Sequence, residues 1–160
     1  MKCNIETIPN DRIAYVRRVG PYGPANIEVM ERLKRWAKEK NLLHSATLFA
    51  IPQDNPETTL PEKCRFDACI VISNDEQVDD SIHTTYLVGG KYLVFKVRHT
   101  AEAIQQAYAE IFPSLESNGY QMDHKPIMER YTSDMTKRFN TPIWNVKPSS
   151  FKVVNSSFHS

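Results

Sequence analysis

The stretch RIAYVRRVGPYGPANIEVMERLKRWAKEK, residues 12–40, joins a strand to a helix across a break rich in glycine and proline. Arg12 to Val19 reads as a strand, Gly20-Pro21-Tyr22-Gly23-Pro24 interrupts it, and Pro24 suits the first turn of the helix that follows. From there to about Lys40, Val29, Met30, Leu33, Trp36 and Ala37 recur at three- and four-residue spacing, while Glu31, Arg32, Lys34, Arg35 and Lys38 take the other side. That pattern predicts an amphipathic helix lying on a sheet. Upstream, Ile5 to Ile8 forms a strand that a Pro9-Asn10-Asp11 turn separates from Arg12. Downstream, Thr47 to Pro52 and Arg65 to Ser73 supply two more, around a polar loop holding Asp54, Asn55, Pro56, Glu57 and Pro61. The order is strand, strand, helix, strand, strand.

The remainder repeats it. Thr84 to Val88 and Lys91 to Arg98 flank Gly89-Gly90, a dipeptide that favours a tight hairpin because both glycines accept positive φ. Setting Arg12 on Lys91, an offset of 91 − 12 = 79, aligns Tyr15-Val16-Arg17 with Val94-Phe95-Lys96 by physical type. Thr100 is placed to cap a helix with the stripe Ile104, Tyr108, Ile111, Phe112 and Leu115, which Asn118-Gly119 ends. Pro113 inside that stripe predicts a kink or an early stop near Phe112. Ile127 to Thr132 and Pro142 to Val146 read as the closing strands. Phe49 and Glu129 fall at matching positions, 129 − 49 = 80, on the first strand after each helix. Two similar units imply a pseudo-twofold, with the natural cavity between them.

Composition narrows the function classes. The chain has 160 residues, 41% of them hydrophobic, which suffices for one packed domain or two small subdomains sharing a core. Its formal charge of +1 comes without a run of either sign, so direct nucleic-acid binding is not expected. No stretch approaches the roughly 18 apolar residues of a membrane span, and Met1-Lys2-Cys3-Asn4-Ile5-Glu6 lacks the apolar core of a signal peptide. No membrane association and a cytoplasmic location are the expectations. Cys3, Cys64 and Cys69 match neither a redox pair nor a zinc knuckle, and the five histidines are scattered without ligand spacing. No metal and no cofactor is expected.

The residue with most functional content is Glu129. In Ile127-Met128-Glu129-Arg130-Tyr131, alternation puts a carboxylate on one sheet face between an aliphatic and an aromatic side chain, a setting that demands a partner. Two readings stay open: a half-exposed edge strand whose glutamate pairs with a neighbouring Lys or Arg, or a pocket floor whose negative charge takes a cationic or polar ligand. Aromatic faces beside such a group attract cations by roughly 0.5–2 kcal/mol each. Tyr108 and Trp144 have polar tips that tolerate a pocket edge, whereas Trp36 and Phe112 read as core. Arg65 and Asp67 read as a structural pair on one strand face.

The segments Val19-Gly20-Pro21-Tyr22, Asp54-Asn55-Pro56, Glu62-Lys63-Cys64-Arg65-Phe66-Asp67, Gly89-Gly90-Lys91-Tyr92 and Lys125-Pro126-Ile127-Met128-Glu129-Arg130-Tyr131 resemble those of the GyrI-like family, the DNA gyrase inhibitors and effector-binding domains of multidrug-responsive transcription regulators. The resemblance implies an α+β fold, with pseudo-twofold-related strand-strand-helix-strand-strand units and antiparallel sheets around a central ligand groove. It places a single effector-binding domain at residues 1–148, with units of about 1–75 and 82–148, and a tail at 149–160. A separate helix-turn-helix is not expected in a chain of this length. The family's groove glutamate carries over onto Glu129 and its aromatic companion onto Tyr131. Phe49, Tyr108 and Trp144 are the further candidate lining residues.

Three functions follow from that resemblance. One is binding of amphipathic, cationic small molecules by a stand-alone effector domain. A second is hydrolysis of reactive cyclopropane-bearing genotoxins, with Glu129 as general base and no serine nucleophile elbow in the sequence. A third is regulation of DNA gyrase as a protein partner, in which the loop Gln53 to Lys63 would present Asp54, Glu57 and Glu62.

Overall fold

A computed structural model of the chain describes residues 3–98, 100–131 and 136–142. The first five elements are β1 (Cys3–Ile8), β2 (Arg12–Val19), α1 (Ala25–Glu39), β3 (Leu48–Pro52) and β4 (Arg65–Val71). The same order returns in β5 (His83–Tyr86), β6 (Gly90–Arg98), α2 (Ala101–Ser117), β7 (Met128–Tyr131) and β8 (Thr136–Pro142), with short 3-10 turns at Leu43–Ser45 and Pro61–Lys63. The architecture is α+β with antiparallel pairing throughout, and the strands of both units merge into one eight-stranded sheet ordered β1-β6-β8-β7-β3-β4-β2-β5.

That order reveals an exchange. β1 pairs with β6, not with β2, and β5 pairs with β2, not with β6, so each unit donates its first strand to the edge of the other. The tight hairpin expected at Gly89-Gly90 is therefore absent. The dipeptide instead sits where the two connections cross: Leu87 N–H donates to the Asp11 carbonyl at 2.8 Å, and Gly89 N–H donates to Asn10 Oδ1 at 2.5 Å. A Cβ on Gly89 would lie 2.5 Å from the Ile8 carbonyl oxygen, so the close approach of two backbones, rather than a turn, is what demands glycine here.

Both faces of the sheet are buried. On one, α1 packs over β2 and β4 and α2 over β6. Val29, Met30, Leu33 and Ala37 of α1 meet Ala14, Phe66, Ala68 and Ile70, while Ala107, Ile111 and Leu115 of α2 meet Leu93, Phe95 and Val97. The opposite face has its own core of Ile8, Ile13, Phe49, Ile51, Cys69, Leu87, Tyr92, Val94 and Met128. Ile8 and Leu87 come from opposite ends of the strand order, so the sheet is curled until its two edge regions meet.

Polar groups on that inner face are matched. Asp67, 3% exposed, accepts from Arg17 Nε at 2.7 Å and Nη2 at 2.8 Å and from Gln53 Nε2 at 2.9 Å. The hydrogen bonds from Arg17 to Asp67 are the main cause holding the guanidinium pKa above its ordinary value. Arg65, expected to pair with Asp67, instead binds Asp54 through Nε and Nη2, both at 2.9 Å, and Asp54 Oδ2 also accepts from the Arg65 N–H at 2.8 Å. Arg65 thereby holds the Asp54 carboxyl below its usual range. Tyr22 Oη completes the knot, accepting from the Asp54 N–H at 3.0 Å and donating to the Arg65 carbonyl at 2.7 Å. Cys64 and Cys69 are buried free thiols, and burial pushes the Cys69 thiol well up.

Two further expectations need correcting. α2 runs through Pro113 to Ser117 without stopping near Phe112. Pro113 removes the donor for the Ala109 carbonyl, but both residues are exposed, on the side of the helix that water can reach. The strand paired with β7 is Thr136–Pro142, upstream of the Pro142 to Val146 expected from apolar content. The Thr100 cap holds, with Oγ1 accepting from the Ala103 N–H at 3.2 Å. Residues 143–148 and the tail at 149–160 lie outside the described residues.

Replacing Gly89 by Ala is expected to cost about 1–3 kcal/mol, the usual penalty for inserting a methyl where backbone must move. Urea unfolding checks this: the midpoint should fall with the slope unchanged.

Candidate functional site

Strand β7 runs along the junction of the two units. It pairs with β3 on one side, Leu48 opposite Tyr131, Phe49 opposite Arg130 and Ala50 opposite Glu129, and with β8 on the other. Side chains directly opposite one another in an antiparallel pair share a face. Leu48 and Ala50 belong to the core under α1, and Tyr131 packs against that same core. Ile127 packs against the core under α2. Ile127, Glu129 and Tyr131 thus form one stripe that starts at the α2 cluster and ends at the α1 cluster, with Glu129 between the two helices.

The stripe has a definite electrostatic character. Glu129 and Tyr131 are both half-buried. Burial, aided by the negative charge of Glu129, pushes the Tyr131 phenol from the usual 10.0 up to about 12, so it remains a neutral donor beside a carboxylate at any physiological pH. A carboxylate and a neutral phenol on an apolar floor suit a ligand that brings positive charge, a hydrogen-bond acceptor, or both. Arg130, the intervening residue, points to the opposite face and is occupied by Glu6, Nη2 to Oε2 at 3.0 Å.

The residues singled out from sequence divide accordingly. Glu129 and Tyr131 come together as alternation predicts. Phe49 does not join them: it lies opposite Arg130, not Glu129, and is 3% exposed inside the core of the other sheet face. Phe49 shares its face with Met128 and Arg130, the residues on either side of Glu129, so the internal alignment that set it on Glu129 is out by one, and a slip of one residue reverses the face. Tyr108 occupies α2 directly after the buried Ala107, with its side chain outside the described set. Trp144 lies outside the described residues. Ala50, overlooked in the sequence because alanine carries no chemistry, lies directly opposite Glu129 on the floor of the stripe.

In the loop Gln53 to Lys63, Asp54 is engaged by Arg65 rather than presented outward, whereas Glu57 and Glu62 are exposed. Among the described residues no cluster of three His, Cys, Asp or Glu side chains could hold a metal ion, and no helix is long and apolar enough to cross a membrane.

Comparison with known proteins bears on the family and the fold. The model of the GyrI-like small molecule binding domain matches residues 1–145. SPbeta prophage-derived YosT of Bacillus subtilis (strain 168), named as a candidate transcriptional regulator, is 43% identical over 136 residues, covering 84% of this chain and 91% of the relative. A DNA gyrase inhibitor of Edwardsiella piscicida is 27% identical over 139 residues, covering 84% and 88%. Among solved structures, the EcmrR C-terminal domain superposes with a TM-score of 0.71 at 14% identity, covering 91% of this chain and 98% of that one. SAV2435 bound to tetraphenylphosphonium gives a TM-score of 0.57 at 13% identity, covering 91% and 95%. At those identities the two structures establish a shared fold.

Alkaline titration followed by phenolate absorbance should show late-ionising tyrosines, one of which disappears in Tyr131→Phe. Because the folded pKa is raised above the unfolded one, the associated stability is complete below pH 10.0 and is lost as pH climbs toward about 12. Burial is the leading cause, so Glu129→Gln should leave most of the shift in place.

Proposed function

The chain belongs to the GyrI-like family of small-molecule-binding domains, and we propose that it binds amphipathic cations in the groove between its two helices, with Glu129 as anchor. The observation that carries this reading is the position of that carboxylate, half-buried between the apolar clusters of both units and next to a phenol that stays neutral. A cation entering there meets the negative charge of Glu129 in a partly desolvated setting, where the attraction is stronger than in water, while its apolar rim packs on Ile127 and Tyr131. Tetraphenylphosphonium, bound by the structural neighbour SAV2435, is a ligand of this type. Tyr108 and Trp144 remain candidate walls on sequence grounds, and the domain is proposed to extend over residues 1–148.

The relatives named as gyrase inhibitors and as a regulator make protein partners a second matter, downstream of the ligand. Binding a small molecule is the activity the site chemistry supports directly. Hydrolysis would need a further group to position water against Glu129, and no described side chain is assigned that role.

Titration with tetraphenylphosphonium should saturate in the wild type and weaken by about tenfold or more in Glu129→Gln, as expected when a charge-assisted contact worth at least ~1.4 kcal/mol is lost. Tetraphenylmethane derivatives made soluble without charge should not discriminate between the two proteins. Equal cation affinity in wild type and Glu129→Gln would refute the anchor.

A further inference from the structure

α1 has a second working face that the central groove does not use. Arg35, Trp36 and Glu39 lie three, four and seven residues after Arg32 and so form with it a stripe distinct from the sheet-facing Val29, Met30, Leu33 and Ala37. Together with Val16 and Ile82 they line a lateral cleft of about 230 Å³ on the outer flank of the sheet, on the side of β2 and β5 rather than of β7.

Its chemistry is the reverse of the groove's. Arg32 and Arg35 make no ion pair among the described residues. The nearby Asp79 is already satisfied by the N–H and hydroxyl of Ser81 and by Lys40 at 3.8 Å. Glu39 is the one acidic side chain on the lining, so two guanidiniums face one carboxylate and the cleft is net positive. The apolar part consists of Ile82, which is buried, and Val16 and Trp36, which are half-buried. Trp36 Nε1 is buried and reaches no acceptor among the described residues.

The geometry points to a second ligand site in this cleft, for a small single-ring aromatic carboxylate, independent of the central groove. The ring rests on Trp36 and Ile82, and the carboxylate spans the Arg32 and Arg35 guanidiniums, whose planar donors match it. The volume sets the size: sites for drug-sized ligands run from roughly 300 to 1,000 Å³, and this one is smaller. The charge sets the sign, since a cation would face two arginines.

Benzoate added to ¹⁵N-labelled full-length protein is expected to move the Trp36 indole N–H resonance saturably, with Trp36→Phe identifying the signal. Doubly substituted Arg32→Ala, Arg35→Ala protein should bind about tenfold more weakly or worse. Glu39→Gln, which removes the opposing charge, should bind about twofold more tightly. Benzyl alcohol should leave the resonance in place. All three changed residues are exposed, and melting curves are to check that the variants fold; the gain in Glu39→Gln decides the matter if the arginine variant does not. Absence of a saturable shift, an undiminished shift in the arginine variant, or an equal response to benzyl alcohol overturns the proposal. Tetraphenylphosphonium should not displace benzoate, so failure here leaves the groove reading standing, and loss of benzoate binding in Glu129→Gln would place the anion elsewhere.

Discussion

Strand exchange is the constraint from which the rest of the molecule follows. Among the described residues β1 pairs only with β6 and β5 only with β2, so neither unit completes its sheet without the other. The exchanged strands are the two edges of the combined sheet, each covering the outer side of a strand from the other unit. The exchange also decides where the units join. With the outer positions taken by the exchanged strands, β3 and β7 are left to pair at the centre, and the two helices fall on either side of them. The stripe holding Glu129 exists because of that junction.

Much of what makes the sequence resemble its family serves this scaffold rather than the ligand. The Tyr22 hydroxyl, the Asp54 carboxylate and the Arg65 backbone and side chain form one closed hydrogen-bonded knot, which ties the loop before α1 to the start of β4. Gly20 joins it through its N–H to the Cys64 carbonyl at 2.8 Å. Gly89 and Asn10 secure the crossing of the exchanged connections. These residues are fixed by geometry and leave the groove free to vary.

The sequence was legible where structure depends on local pattern. Both helices, the Thr100 cap and the common face of Ile127, Glu129 and Tyr131 follow from spacing and side-chain chemistry over a few residues. Pairing partners are another matter, because Gly89-Gly90 encodes permission for a turn and says nothing about which strand lies alongside. β8 escaped notice since Thr136–Pro142 carries little apolar content for a strand flanked on both sides, while the stretch after it is richer. Phe49 shows how sharply register matters. Being one residue out in an internal alignment moved it from the groove to the opposite core.

The placement of charge on α1 and β7 gives the two proposed sites a common logic. A sheet face covered by two helices has a seam between them and flanks outside them, and only there can polar groups approach the apolar layers without full burial. On the seam the chain sets a carboxylate with a neutral phenol, and on the flank it sets two guanidiniums with an indole. Half-burial is the useful condition at the seam, since a fully buried charge must be paired within the protein and an exposed one is screened by water and salt, whereas on the flank it is the indole that is half-buried and the guanidiniums reach it from the exposed side of α1. Asp67 illustrates the first limit, locked by Arg17 and Gln53 and unable to meet anything else. Exposed Glu57 and Glu62 illustrate the second. Ligand selectivity of opposite sign on one helix–sheet layer then requires no change of fold, only a different residue at the seam or on the flank.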